Sequence, residues 1–90
     1  FVMKEIFFVI SDGVKWKEVN ESIIIEPDYA LNSTAAFVFK KINDGLSNMQ
    51  IVDALSQEYD AVVSDITSDV ESLIQEMQEE KIIEDVTLRN

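Results

Sequence analysis

The chain has 90 residues, 47% hydrophobic and 28% charged, a composition that indicates one small folded domain and excludes a disordered chain. Its net charge of −11, with only seven basic residues, argues against nucleic acid or an anionic membrane as partner. Cysteine and histidine are absent, which excludes disulfides, thiolate or imidazole catalysis and zinc–thiolate sites, and favours a cytoplasmic protein.

The first third of the chain has the pattern of β-strands separated by turns. β-Branched and aromatic residues are concentrated in residues 4–10, 14–19 and 22–26. Asp12-Gly13 predicts a hairpin that joins the first two of these strands, and Asn20-Glu21 predicts a second short connection. The five-residue apolar run inside the first strand is far too short to cross a bilayer.

A short last strand is predicted over residues 29–31. Pro27 precedes it and cannot donate a ladder hydrogen bond, a placement tolerated at the edge of a sheet and not in its centre. In the second strand Trp16 lies on one face and Lys15 and Lys17 on the other, as expected when one sheet face packs on helices. We therefore predict three or four antiparallel strands that end in an open edge.

Two helices are predicted next. Asn32 or Ser33 caps the first, which ends at Asp44-Gly45, and the capping-box pattern of residues 47–50 opens the second, which ends near Asp60. The predicted inward positions are Ala35, Ala36, Val38, Phe39 and Ile42 in the first helix, and Ile51, Val52, Leu55 and Tyr59 in the second.

A third helix is predicted to begin at Ser64 or Asp65. Its single apolar stripe consists of Ile66, Val70, Leu73, Ile74 and Met77. Ile82 and Ile83 are expected to return to the core, and residues 85–90 to form a frayed tail.

Strands followed by three helices predict an α+β winged helix-turn-helix domain with its wing at the N-terminus. The helix that would enter a DNA groove in such a fold carries six carboxylates and no basic residue, so DNA binding is disfavoured. These carboxylates belong to Asp65, Asp69, Glu71, Glu76, Glu79 and Glu80.

Asp65 and Asp69, and likewise Glu76 and Glu80, lie one helical turn apart, where a pair of carboxylates could bind a divalent cation or flank a glycosidic bond. They are predicted to be exposed, with no pocket to exclude water or to shift their pKa values. The sequence also lacks a histidine to activate a hydroxyl and a glycine-rich phosphate loop. We therefore predict no catalytic residue, no metal site and no cofactor.

Residues 23–39 (Ile-Ile-Ile-Glu-Pro-Asp-Tyr-Ala-Leu-Asn-Ser-Thr-Ala-Ala-Phe-Val-Phe) resemble the PqqD family, in which a short strand ends in Leu-Asn before a helix that starts with small residues. Asp44-Gly45, residues 51–55 with Tyr59, and residues 69–83 are similar to later parts of the same pattern. The resemblance covers residues 14–84 of a single domain, to which residues 1–13 add an N-terminal strand.

This resemblance implies a non-catalytic recognition element for ribosomally synthesised and post-translationally modified peptides. Such a domain binds the leader segment of a precursor peptide as an added strand and presents the precursor to a radical SAM protein, a protease or a cyclase. A strand edge beside an apolar groove suits this kind of binding. The residues expected to bind the peptide are Asp28, Tyr29, Ala30, Leu31, Ile66, Val70, Leu73, Ile74 and Met77.

Other interpretations stay open at the level of sequence. Tyr29 and Leu31 are simply packed strand residues if no peptide binds there, and some residues of the third helix's apolar stripe are expected to serve the core alone. The acidic face of that helix is either a solvated surface or a surface that attracts a basic leader or a basic patch of an enzyme. The N-terminal strand either completes the sheet or pairs with a neighbouring molecule, so the protein is a monomer or a weak homodimer. The alternative functions are a protein–protein adaptor and, less in keeping with the charge, a DNA-associated regulator.

Overall fold

Strands and helices follow one another in the order β1 to β4, α1 to α3 and β5 in the computed structural model, which describes residues 4–87. The α+β fold predicted from the sequence is confirmed. The strands are β1 (Phe8–Ile10), β2 (Trp16–Val19), β3 (Ser22–Ile25), β4 (Tyr29–Leu31) and β5 (Ile83–Asp85), and the helices are α1 (Ser33–Asn43), α2 (Asn48–Tyr59) and α3 (Val63–Glu79).

Three of the strands form an antiparallel sheet in the order β2-β3-β4. The two-residue turn between β2 and β3 places Asn20 at a φ of 59°, a left-handed conformation that asparagine tolerates better than most residues. In the next pair, Ile23 lies opposite Leu31 and Ile25 opposite Tyr29. β4 is therefore an edge strand of this sheet, as Pro27 predicted.

The predicted hairpin between the first two strands is wrong. The turn itself is present: the Val14 N–H donates to the Ser11 carbonyl at 3.3 Å, and Gly13 has a φ of 85°. Beyond it, however, β1 pairs with β5 in a separate two-stranded antiparallel sheet. This pairing places Phe8 in the core, with only 4% of its surface exposed.

The predicted frayed tail is wrong in its first part. Asp85 is the last residue of β5, and the Val86 N–H donates to the Phe7 carbonyl at 2.9 Å. The Thr87 hydroxyl accepts a hydrogen bond from the Phe7 N–H at 2.9 Å. Residues 88–90 of the predicted tail lie outside the described residues.

The segment before β1 is fastened to the start of α2 by the buried side chain of Asn48. Its Oδ1 accepts from the Ile6 N–H at 2.8 Å, and its Nδ2 donates to the Lys4 carbonyl at 2.9 Å. The Asn48 N–H also donates to the Ile6 carbonyl at 3.0 Å. Asn48 thus supplies the backbone of this segment with the hydrogen bonds that a neighbouring strand would otherwise provide.

The first two helices begin where the sequence predicts. The Asn32 side chain accepts from the Ala35 N–H at 2.9 Å, and the capping box of Ser47 and Gln50 is complete. The third helix differs, because it begins at Val63, before the predicted Ser64 or Asp65, and has no side-chain cap. None of the helices that the structure describes is long and apolar enough to cross a membrane.

The core lies between the three-stranded sheet, the helices and the β1–β5 pair. It includes every predicted inward position of α1, and Trp16 closes it from the sheet side with an edge-to-face contact of 5.1 Å between its ring and that of Phe39. Tyr59 was expected to point inward, but half of it is exposed because it is the last residue of α2, and its ring lies 6.4 Å from that of Phe37. The Ile82 and Ile83 side chains are buried as predicted.

Candidate functional site

One contact at the end of β3 shows which of its residues hydrogen bond with β2 and which with β4. We call this alternation the hydrogen-bonding phase of β3. The Glu26 N–H donates to the Lys15 carbonyl at 2.9 Å, so the backbone of Glu26 faces β2. Successive residues of a strand direct their N–H and C=O groups to opposite sides of the strand. Ile24 therefore also hydrogen bonds with β2, whereas Ile23 and Ile25 hydrogen bond with β4.

This phase determines which backbone groups of β4 are left open. Leu31 and Tyr29 lie opposite Ile23 and Ile25, so these two residues of β4 exchange hydrogen bonds with β3. Ala30, between them, directs its N–H and C=O away from the sheet, and its side chain is exposed. A donor and an acceptor at the edge of the sheet are thus placed to pair with an additional strand.

The backbone of this edge strand does not approach that of α3 closely. No Cα atom of β4 lies within 8 Å of a Cα atom of α3, although both elements pack on α1. A shallow depression of about 260 Å³ lies between α3 and the start of α1, directly after the end of β4. The depression is lined by Asn32, Thr34, Asp69, Ser72 and Leu73. The backbone edge and this depression together form what we call the β4–α3 groove.

At its other end the groove is bridged by a side-chain hydrogen bond. The Tyr29 hydroxyl donates to Oε2 of Glu76 at 2.8 Å. Burial, this hydrogen bond and the negative charges of Glu76 and Glu80 raise the pKa of Tyr29 to about 12. The Tyr29 end of the groove is therefore an environment of negative potential.

The side of α3 that faces β4 differs from the side that faces the core. At 100° per residue, Asp69, Leu73 and Glu76 lie along one flank of the helix, and Glu80, its C-terminal cap, continues that flank at spacings of four, three and four positions. We call these four residues the α3 flank. Leu73 is partly buried, and the other three are exposed. The flank therefore combines one apolar side chain with three carboxylates.

The structure divides the residues predicted to bind a peptide into three groups. Asp28 and Ala30 are exposed on the edge strand, and Tyr29 and Leu73 are half-buried at the groove. The remaining five are buried in the core, with exposures between 0% and 7%. These buried residues are Leu31, Ile66, Val70, Ile74 and Met77.

Sequence reasoning missed the polar residues around the groove. Asn32 was recognised only as a helix cap, and Thr34 and Ser72 were not considered. Asp69 and Glu76 were treated as members of one acidic face, although their helical spacing from Leu73 would have placed them on its flank. Residues 4–87 contain no group of three or more metal-ligating side chains placed to hold an ion.

Comparison with known proteins agrees with the described fold. A solved structure, "TbiB1 in Complex with the TbiA(beta) Leader Peptide", matches with a TM-score of 0.78 and 17% sequence identity, covering 84% of this chain and 94% of that chain. No curated protein matches the sequence significantly. The family model of coenzyme PQQ synthesis protein D (PqqD) matches residues 21–83, well over half of the chain. This chain therefore belongs to the PqqD family.

Proposed function

We propose that this protein binds the leader segment of a ribosomal precursor peptide in the β4–α3 groove. The observation that carries the proposal is the outward-facing N–H and C=O of Ala30 on the edge strand β4. A peptide in extended conformation gains main-chain hydrogen bonds at such an edge, while alternate side chains enter the neighbouring groove.

The solved structure with the same fold supports a peptide ligand, because its description names a complex with a leader peptide. Net gains of about 0.5–1.5 kcal/mol for each main-chain hydrogen bond, added to apolar burial in the groove, are enough for roughly micromolar binding after the cost of ordering the peptide.

In the proposed role the protein catalyses no reaction itself. It presents the bound precursor to a modifying enzyme, such as a radical SAM protein, a protease or a cyclase. Family membership supports this division of labour. The leader is held along β4 and α3, so the modified part of the precursor extends beyond the domain toward the enzyme.

The role of Ala30 is tested by two substitutions at the same position. Ala30→Pro removes the outward N–H, and proline suits an edge strand whose donor faces away from the sheet. Ala30→Val keeps the N–H and favours the strand. The ligand is a peptide selected from a displayed library of random decapeptides, and its affinity is measured by calorimetry against the wild-type protein and both variants.

We expect Ala30→Pro to weaken binding by about two- to tenfold through one lost hydrogen bond of ~0.5–1.5 kcal/mol, and Ala30→Val to bind like the wild type. Amide chemical shifts of residues 28–31 and of the α3 flank should change when the peptide is added. Equal binding by all three proteins, or shift changes confined to other surfaces, would contradict the proposal. A thermal melt of each variant identifies loss of binding that results from unfolding.

A further inference from the structure

The two ends of the β4–α3 groove differ in chemistry. The end near Asn32 is the depression that contains the Leu73 side chain, with Asp69 at its rim. The end at Tyr29 is occupied by the hydrogen bond to Glu76, and Glu80 lies close enough to contribute its charge there. One end is thus partly apolar, and the other is carboxylate-rich.

A strand added at β4 would meet these two ends with alternate side chains. The peptide residue opposite Ala30 directs its side chain to the solvent face of the sheet, as Ala30 itself does. The residues on either side of it lie opposite Tyr29 and Leu31 and point toward α3. Two peptide side chains, separated by one residue, therefore enter the groove.

Among the described residues, no lysine lies close enough to form an ion pair with Glu76 or Glu80 at the Tyr29 end of the groove. The ion pair found among residues 4–87 joins Lys40 to Glu18 at 3.1 Å, on α1 and β2. Neither Glu76 nor Glu80 has a lysine within 4 Å there. The only hydrogen bond to the Glu76 carboxylate in this region is the one from the Tyr29 hydroxyl.

We infer that the groove selects an extended peptide that carries an apolar residue and a lysine or arginine two positions apart. The apolar side chain fills the depression at Leu73, and the cation lies between Glu76 and Glu80. This inference rests on the proposed function and adds the chemistry of the ligand to it. The order of the two residues along the peptide depends on whether the added strand runs parallel or antiparallel to β4.

The selected decapeptides test the sequence preference directly. We expect them to be enriched in pairs of an apolar and a basic residue separated by one position. Replacement of the basic residue by glutamine should weaken binding by about two- to fivefold at low salt, the range of an exposed ion pair. The affinity of each peptide is measured by fluorescence anisotropy.

A charge exchange locates the cation. Glu80→Lys should weaken binding of the selected peptide, and a peptide with glutamate in place of its basic residue should regain affinity for this variant. Glu71→Lys is the matched control: it makes the same change of net charge on α3, about 180° around the helix axis from Glu80. Glu71→Lys should change affinity less than Glu80→Lys does.

The outcomes separate the two proposals. If the peptides shift the amide signals of β4 and lose affinity on Ala30→Pro, but show no basic preference and respond equally to Glu80→Lys and Glu71→Lys, the inference about charge is wrong and the peptide-binding function stands. If Ala30→Pro has no effect and the signals of β4 do not shift, both proposals fail.

Discussion

At the scale of single residues, Asn48 shows how one buried amide replaces a missing strand partner. Only 6% of its surface is exposed, and its side chain hydrogen bonds with the backbones of Ile6 and Lys4. The same residue occupies the first position of α2, directly after the Ser47 cap. The start of α2 and the N-terminal segment are therefore stabilised together.

Asn48→Ala should lower the free energy of unfolding by about 1–3 kcal/mol, because it removes a buried side chain that hydrogen bonds with the half-buried N–H of Ile6 and with the Lys4 carbonyl. Chemical denaturation measures this loss. Asn43→Ala, at an exposed position at the end of α1, is the control and should change stability by less than about 0.5 kcal/mol. A similar small effect of both substitutions would contradict the role of the Asn48 side chain.

Tyr29 gives a second prediction at this scale, which concerns pH. The protein has two tyrosines, so in Tyr59→Phe the tyrosinate absorbance reports Tyr29 alone. Its pKa of about 12 predicts a late transition, and Glu76→Gln should move the transition to lower pH by removing a charge and a carboxylate acceptor. A transition that Glu76→Gln leaves unchanged would contradict the contact.

The same pKa has a consequence for stability, with a definite sign. The protonated form of Tyr29 is favoured in the folded protein, because its folded pKa of about 12 lies above the ordinary value of 10.0. Its contribution to stability is therefore fully present below pH 10 and is lost as the pH rises toward 12. Unfolding experiments across this range should show less loss in Tyr29→Phe than in the wild type.

At the scale of elements, α3 serves the core on one side and the groove on another. Its stripe of Ile66, Val70, Ile74 and Met77 is buried, whereas Leu73 lies at the boundary. From the sequence, all five are named as peptide-site residues, with some of them expected to belong to the core alone. The structure assigns the stripe a packing role, and we now propose that only Leu73 contacts the peptide directly while the other four hold the helix in place.

Two truncations on α3 separate these roles. Met77→Ala removes a fully buried side chain and should lower the free energy of unfolding by about 2–5 kcal/mol. Leu73→Ala should cost less stability, about 1 kcal/mol, since Leu73 is only partly buried. It should weaken peptide binding more than Met77→Ala does at a temperature where both variants are folded. Denaturation and calorimetry measure the two effects. A reversed order of the two binding losses would place the peptide elsewhere.

The pairing partner of β1 is the part of the fold that the sequence pattern predicts incorrectly. A tight turn at Gly13 follows β1, and a turn after a strand favours a hairpin with the next strand. The chain instead passes from one sheet to the other at this turn, and β1 pairs with a strand near the opposite end of the chain. The pairing satisfies the backbone groups of β1 that face β5, so half of its ladder hydrogen bonds are made within the molecule.

For the molecule as a whole, the net charge of −11 destabilises the compact folded state through self-repulsion, and it disfavours binding to DNA. The Lys40–Glu18 ion pair is half-exposed, so it offsets little of this repulsion. Raising the salt concentration from about 10 mM to about 150 mM shortens the screening length from roughly 30 Å to 8 Å. We therefore expect the unfolding temperature to rise with salt, which calorimetry measures.

Glu71→Lys provides the control for this prediction. It should raise the unfolding temperature at low salt, and the gain should shrink at 150 mM, since screening has already reduced the repulsion that the substitution relieves. An unfolding temperature that falls with salt would mean that favourable charge pairs outweigh the net repulsion. Association with a basic peptide should show the opposite dependence and slow down as salt is added.

Features with local causes follow from the amino-acid sequence alone. The caps at Asn32 and Ser47, the apolar stripe of α1 and the edge character of β4 depend on residues a few positions apart, and the structure confirms each of them. The family resemblance, carried by residues 23–39, is confirmed by the match of the PqqD family model to residues 21–83.

Three other features emerge only in the folded molecule: the partner of β1, the outward direction of the Ala30 backbone groups and the division of α3 between core and groove. Each depends on which distant segment packs alongside: β5 for the first, β2 for the second, β4 for the third. Hydrophobic periodicity indicates that a face is covered and does not identify the segment that covers it, because apolar burial has no direction of its own. The groove therefore appears only when the strands and helices are assembled.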